Sequence, residues 1–271
     1  MYVVNQDLKS LDIWSTYGQL ISRLFERNFD TASPLFFHSP SQSLYFAYTW
    51  HRESSIFKLH INSTKPVQVI NDTMLNANGW VIGSRCGGIY VNAINEIFVF
   101  FTYNGKLMKW TVNETRGILV ADGHRYDSTT TTSDNFQQAV IDERNHLIYI
   151  LDGIGPRLLK YINGSLIGTA VFDPIEKEIF SNVKFEYLNF HSIIVDQTGY
   201  FLLGESYKIS MWTSDGKFNV TVIQNYYTVE DKIVRTITKP TIMTFDKLGN
   251  LYVIDQNRVI RFNRTSIRCL D

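Results

Sequence analysis

A column of aromatic and large apolar residues recurs about every fifty positions along this chain of 271 residues, and it limits what the chain can fold into. Trp14, Leu59, Trp110, Tyr161, Trp212 and Phe262 stand 45, 51, 51, 51 and 50 residues apart. A second column, Tyr2, Tyr45, Phe98, Tyr149, Leu202 and Tyr252, keeps step at intervals of 43, 53, 51, 53 and 50. Two columns in register over the whole length require a repeated supersecondary unit. A period of this size fits propeller blades or paired-helix solenoids. The segments between turn residues alternate with period two, which excludes the helical option.

The last unit, "PTIMTFDKLGNLYVIDQNRVIRFN", reads as three strands: Pro240 to Phe245, Leu251 to Ile254 and Arg258 to Phe262. Turns rich in Asp, Gly and Asn separate them. The unit at 136–172 adds a fourth strand, Ser165 to Phe172, after an Asn-Gly turn. Units near 87–121 and 190–223 follow the same frame, and the one at 34–70 follows it in outline. Residues 1–25 read as the last three strands of a unit whose first strand is missing, so the chain is expected to be a fragment, a truncated gene product or part of a longer protein. Four-stranded antiparallel units in series are propeller blades. The expectation is one all-β domain over 1–271, with four full units and a partial one at each end, forming a six-bladed ring.

"FDKLGNLYVIDQNRVIRF" resembles the NHL repeat, in which a strand ending in Asp, a Gly-containing turn, a "lyVaD" strand and "nRI.rf" follow in order. Asp246, Gly249, Asn250, Tyr252, Val253, Asp255, Asn257, Arg258 and Phe262 carry the match. Asp142, Tyr149 and Asp152 extend it to the third unit, and Asp196, Gly199 and Trp212 to the fourth; Gly204 and Glu205 depart from it. The resemblance implies a propeller whose upper face holds the connections between blades and those between second and third strands. The other two hairpins of each blade then lie on the lower face.

Net charge is zero, with 26 basic and 26 acidic residues, which argues against a dedicated nucleic-acid binder. No apolar run reaches the ~18 residues of a membrane span, and the N-terminus is not a signal peptide. Cys86 and Cys269 fit no metal spacing, and "CGG" reads as a turn before a strand. Six Asn-x-Ser/Thr sequons, at Asn62, Asn71, Asn113, Asn163, Asn219 and Asn263, favour a secreted or lumenal protein. Four of them, Asn62, Asn113, Asn163 and Asn263, follow third strands, where turn chemistry alone would also select Asn.

Long connections at 71–87, 122–135, 173–189 and 226–239 draw attention to the upper face. Its candidate binding residues are Trp50 and Arg52 in one loop, His124, Arg125 and Tyr126 in another, and His191 at the start of a first strand. Asn5, Asp152, Glu205 and Asp255 fall at equivalent second-strand ends. Lactonase-type propellers use an acidic central site, and peptide-amidating lyase propellers bind zinc through histidines placed like His191. Three ligands are needed for a catalytic zinc with an open position, and the other units supply no histidine. Walker, HExxH and GxSxG motifs are absent. The expectation is therefore a non-enzymatic binding module without metal or cofactor, offering its upper face to a protein or small ligand. A metal-dependent hydrolase or lyase is the alternative.

Overall fold

A computed structural model describes residues 2–5, 10–15, 19–26, 34–50, 53–63, 65–77, 86–102, 104–111, 113–123, 136–152, 157–162, 164–172, 190–196, 198–216, 219–224, 226–229, 232–235, 237–256 and 258–263. The chain divides into two compact units, residues 1–122 and 123–271.

Unit 1 contains three antiparallel sheets. The first joins β1 (Tyr2–Asn5), β2 (Ser10–Trp14) and β3 (Leu20–Glu26). The second runs β4 (Leu35–His38), β5 (Ser43–Trp50), β6 (Glu53–His60) and β7 (Val67–Ile70). The third runs β8 (Cys86–Val91), β9 (Ile97–Phe101), β10 (Lys106–Trp110) and β11 (Ile118–Asp122). Between the second and third sheets, Asp72–Asn76 forms a short helix, α1, whose first turn is capped by the Asn71 side chain accepting the Met74 N–H.

Unit 2 holds two further four-stranded sheets, a three-stranded one and a hairpin. Their strands are β12 (Phe136–Asp142), β13 (Leu147–Asp152), β14 (Arg157–Ile162) and β15 (Thr169–Phe172), then β16 (Phe190–Val195), β17 (Phe201–Glu205), β18 (Lys208–Trp212) and β19 (Asn219–Gln224). The hairpin is β20 (Tyr226–Val229) with β21 (Lys232–Arg235), inside a connection expected to be a loop. The last sheet is β22 (Pro240–Phe245), β23 (Leu251–Asp255) and β24 (Arg258–Phe262).

Every strand pairs with its neighbour in sequence, the up-and-down order of propeller blades. The blade count, however, is five and not six. The expectation gave each incomplete end a blade of its own, and two three-stranded sheets do not supply two complete four-stranded blades. A repeat period counts motifs and is blind to strands that a unit lacks. The expected strand at 165–172 is also shorter, beginning at Thr169. Cys86, expected in a turn, is the buried first residue of β8, and its thiol points to the Gly88 carbonyl.

Members of the fifty-residue columns, among them Tyr45, Trp110, Tyr149 and Trp212, belong to the layers between sheets. Trp110, Tyr161 and Trp212 are at most 5% exposed near the ends of their third strands. Glycine makes room for two of them: a Cβ on Gly117 would stand 2.5 Å from the Trp110 ring, and one on Gly168 2.5 Å from the Tyr161 ring. In unit 2, Tyr149, Leu151 and Leu158 pack on Ile193, Phe201, Leu203 and Trp212. The other face of that sheet meets Met243, Leu251 and Val253 of the last one. Burial of one such side chain is worth about 1.5–3 kcal/mol, so these layers dominate the stability of the unit.

Candidate functional site

The end of unit 2 where second strands finish and third strands begin holds three buried carboxylates, each paired with a base. Asp152, Glu205 and Asp255 each close a second strand, and each is at most 1% exposed. Opposite each stands the first residue of the next strand: Arg157, Lys208 and Arg258. All three acid–base pairs are closed. Arg157 Nη2 lies 2.5 Å from Asp152 and is itself buried, Lys208 Nζ lies 3.0 Å from Glu205, and Arg258 Nη2 lies 2.8 Å from Asp255. Charges so deeply buried persist only when paired.

On their other side the same carboxylates face the start of a first strand, where the register slips. Bulges lie between Phe136 and Gln138, Phe190 and Ser192, and Pro240 and Ile242. A bulge disrupts the ladder locally and leaves backbone groups to be satisfied another way. Asp255 does this directly: its Oδ1 accepts the N–H groups of Thr238 at 3.0 Å and Lys239 at 2.5 Å. Burial pushes the Asp255 carboxyl up, but those N–H groups and Arg258 outweigh it and hold the group below the ordinary value. Glu205 accepts the Ser210 hydroxyl, and Trp212 Nε1 donates in turn to Ser210 Oγ at 2.7 Å. Asp255 thus holds the start of β22, while Asp152 and Glu205 are engaged by side chains of the strands that follow them.

The opposite end of the sheets repeats this logic in turns. Asp246 accepts the N–H groups of Leu248 and Asn250 and the Asn250 side-chain amide. The Asn250 amide, ahead of the backbone donors, keeps the Asp246 carboxyl below its usual value. Asp142 and Asp196 close equivalent turns on Asn145 and on Thr198 and Tyr200.

His191 is half-buried in β16, with Nε2 3.1 Å from Ser206 Oγ. Burial first, and the Lys239 charge second, bring its pKa down to about 4, so the imidazole is neutral at pH 7. By register its equivalents are Thr241 in β22, Gln137 in β12 and Gly87 in β8, one residue further on than Pro240, Phe136 and Cys86. Among the described residues no group of three His, Cys, Asp or Glu side chains could hold a metal ion.

Of the other residues singled out from sequence, Trp50 ends β5 but its side chain lies outside the description. Arg52, His124, Arg125 and Tyr126 lie wholly outside the described residues. Asn62, Asn113 and Asn263 are exposed just after third strands, and Asn71 is exposed as the cap of α1. Asn113 has φ +72°, a left-handed turn geometry that asparagine tolerates. Asn219 opens β19 with its side chain outside the description, and Asn163 lies outside it altogether.

Sequence reasoning missed Ser206, Tyr207, Lys208 and Lys239. Tyr207 is 50% exposed with φ +70°, and its N–H donates to Thr238 O at 3.0 Å. That bond ties the β17–β18 turn to the start of the next sheet. The available signal was charge: an acid followed three residues later by a base, at Glu205–Lys208 and again at Asp255–Arg258, brackets a two-residue turn.

No family model matches the chain, and no curated protein matches its sequence. Solved structures do. The chain is similar to one in a nidogen/laminin complex, with a TM-score of 0.68 at 11% identity, over 100% of this chain and 91% of that one. A luciferin-regenerating enzyme matches with a TM-score of 0.60 at 11% identity over 94% and 79%. The WD40 β-propeller domain of Doa1 matches at 0.57 and 10% identity over 99% and 90%. The chain is a β-propeller. These likenesses establish the fold alone, since interaction domains and enzymes share this fold. No helix among the described residues is long and apolar enough to cross a membrane.

Proposed function

We propose that this protein is a non-enzymatic, NHL-like β-propeller interaction module, a single domain that offers the second-strand-end face to a protein or small ligand. One observation carries the reading. At that face of unit 2 the buried carboxylates are consumed by their own ion pairs and strand starts, while Tyr207, Lys239 and the outer parts of Lys208 and Arg258 remain at the surface. A hydrolase or lyase would need acids held ready for a metal or a substrate. Here each acid already has a structural partner.

An extracellular or secretory location is part of the proposal. Its support is the six sequons: Asn62, Asn113 and Asn263 are exposed just after third strands, and Asn263 follows the end of β24 away from Arg258. A glycan at Asn263 would leave the proposed face of unit 2 open. Expression in a glycosylating host, followed by peptide mapping before and after deglycosylation, tests this; unmodified asparagines would remove the support.

The interaction reading is tested by displaying the full chain on cells and probing it with a panel of secreted proteins. Lys239→Ala and Tyr207→Ala should weaken any retained interaction, whereas Lys247→Ala in the opposite turn should preserve it. Loss with Lys247→Ala alone would place the binding surface on the wrong end.

A further inference from the structure

The rim of unit 2 has a definite charge character. Three cations reach its surface from two neighbouring sheets: the Lys208 side chain is 35% exposed, that of Arg258 is 51% exposed, and Lys239 is exposed. Their nearest acids, Glu205 at 1% and Asp255 at 0%, are buried beneath. Lys239 has no carboxylate partner among the described residues. Positive ends therefore face outward over buried negative ones, and a partner meets the cations first.

The rim is also held in shape. The Tyr207 N–H to Thr238 O bond joins the two sheets, Asp255 fixes the backbone of Thr238 and Lys239, and Ser192 Oγ donates to Pro240 O at 2.7 Å just below. Gly204 permits this approach, because a Cβ there would stand 2.8 Å from Pro240 O. Tyr207, whose N–H makes the tie, is 50% exposed and adds an aromatic side chain next to Lys208 in the turn. Preorganised cations around an exposed aromatic suit extended, carboxylate-bearing chains.

We propose that the rim formed by Tyr207, Lys208, Lys239 and Arg258 docks an acidic segment of a partner protein. The proposal rests on the interaction reading above and specifies the partner's chemistry. A nucleic acid is disfavoured by the small number of cations, by the carboxylates lying just beneath them and by the neutrality of the chain as a whole.

The test is fluorescence anisotropy with the full chain and three labelled probes: an Asp/Glu-rich peptide, a Gly/Ser peptide of equal length and a single-stranded oligonucleotide. The acidic peptide should bind tightest and weaken as salt rises from about 20 to about 300 mM. Lys239→Glu should weaken it by about tenfold at low salt, the scale of reversing one charge near a surface carboxylate in water. Lys239→Ala should fall between, and Lys247→Glu should match the parent. Lys208 and Arg258 are left intact because removing them would strand buried acids. Unfolding midpoints check that each variant is folded.

Tighter binding of the oligonucleotide, or equal loss with Lys247→Glu, overturns the proposal. If acidic and neutral peptides bind alike while Lys239→Ala still weakens capture on displayed cells, the acidic class is wrong and the interaction reading stands. If the rim variants change neither assay, both fall.

Discussion

Replacing Asp255 separates a structural carboxylate from a functional one. Its Oδ1 accepts two backbone N–H groups and its Oδ2 binds Arg258 through Nε and Nη2. A buried donor left without an acceptor costs about 1–3 kcal/mol, and a hydrogen bond to a charged group is worth about 1.5–3 kcal/mol. Thr238 and Lys239 are open enough for water to recover part of this, and Arg258 is half-exposed, so the lower end of each range applies. Asp255→Ala should therefore destabilise the protein by about 3 kcal/mol. Asp255→Asn keeps an acceptor for the backbone and loses only the charge, at about 1.5 kcal/mol. Urea unfolding measures both, and amide exchange at Thr238 and Lys239 reports the local effect, which should be faster in the alanine variant. The pH dependence adds a signature. A carboxyl whose folded value lies below its ordinary 3.8 contributes stability that is complete above the ordinary value and is lost as pH falls through the folded one. The gap between parent and Asp255→Asn should then be constant from neutral pH down to the carboxylate range and shrink below it. An alanine variant within about 0.5 kcal/mol of the parent, the usual range for a neutral surface change, would refute the reasoning.

The buried Asp152–Arg157 pair makes a related prediction: Arg157→Leu alone should cost about 3–5 kcal/mol, and the double change with Asp152→Leu distinctly less, because the lone buried carboxylate is the main penalty. Gly204→Ala drives a Cβ into Ser192 Oγ and to 2.8 Å from the Pro240 carbonyl, so it should destabilise by about 1–3 kcal/mol, read by urea. Adding Ser192→Ala should relieve the side-chain clash and leave the carbonyl one. His191 should remain neutral by NMR until about pH 4. The unfolded imidazole takes up its proton near 6.5, so stability should fall as pH drops from 6.5 towards 4, and His191→Asn should remove that slope.

The architecture was legible because core layers impose a spacing that survives divergence. Trp110, Tyr161 and Trp212 reveal the blade through side chains that must fill the same gap between sheets. Blade number was not legible, since β1–β3 and β22–β24 carry the same pattern as complete sheets and differ only in lacking a fourth strand. At the site, the sequence located the acidic positions and the turn role of Asp246. It could not reveal that Tyr207 reaches Thr238, or that Lys239 lies beside His191, because these contacts join residues of separate blades through bulges that shift the register. His191 drew attention as a metal-binding type; its partner is a serine hydroxyl.

In the proposed function, Asp152, Glu205, Asp255 and His191 serve the packing of the sheets in unit 2 and the rim above them binds a partner. Metal analysis of natively purified protein, with Asp255→Asn and His191→Asn in parallel, tests it most directly. Zinc and calcium should be substoichiometric in all three proteins. Stoichiometric metal in the parent that disappears in either variant would contradict it.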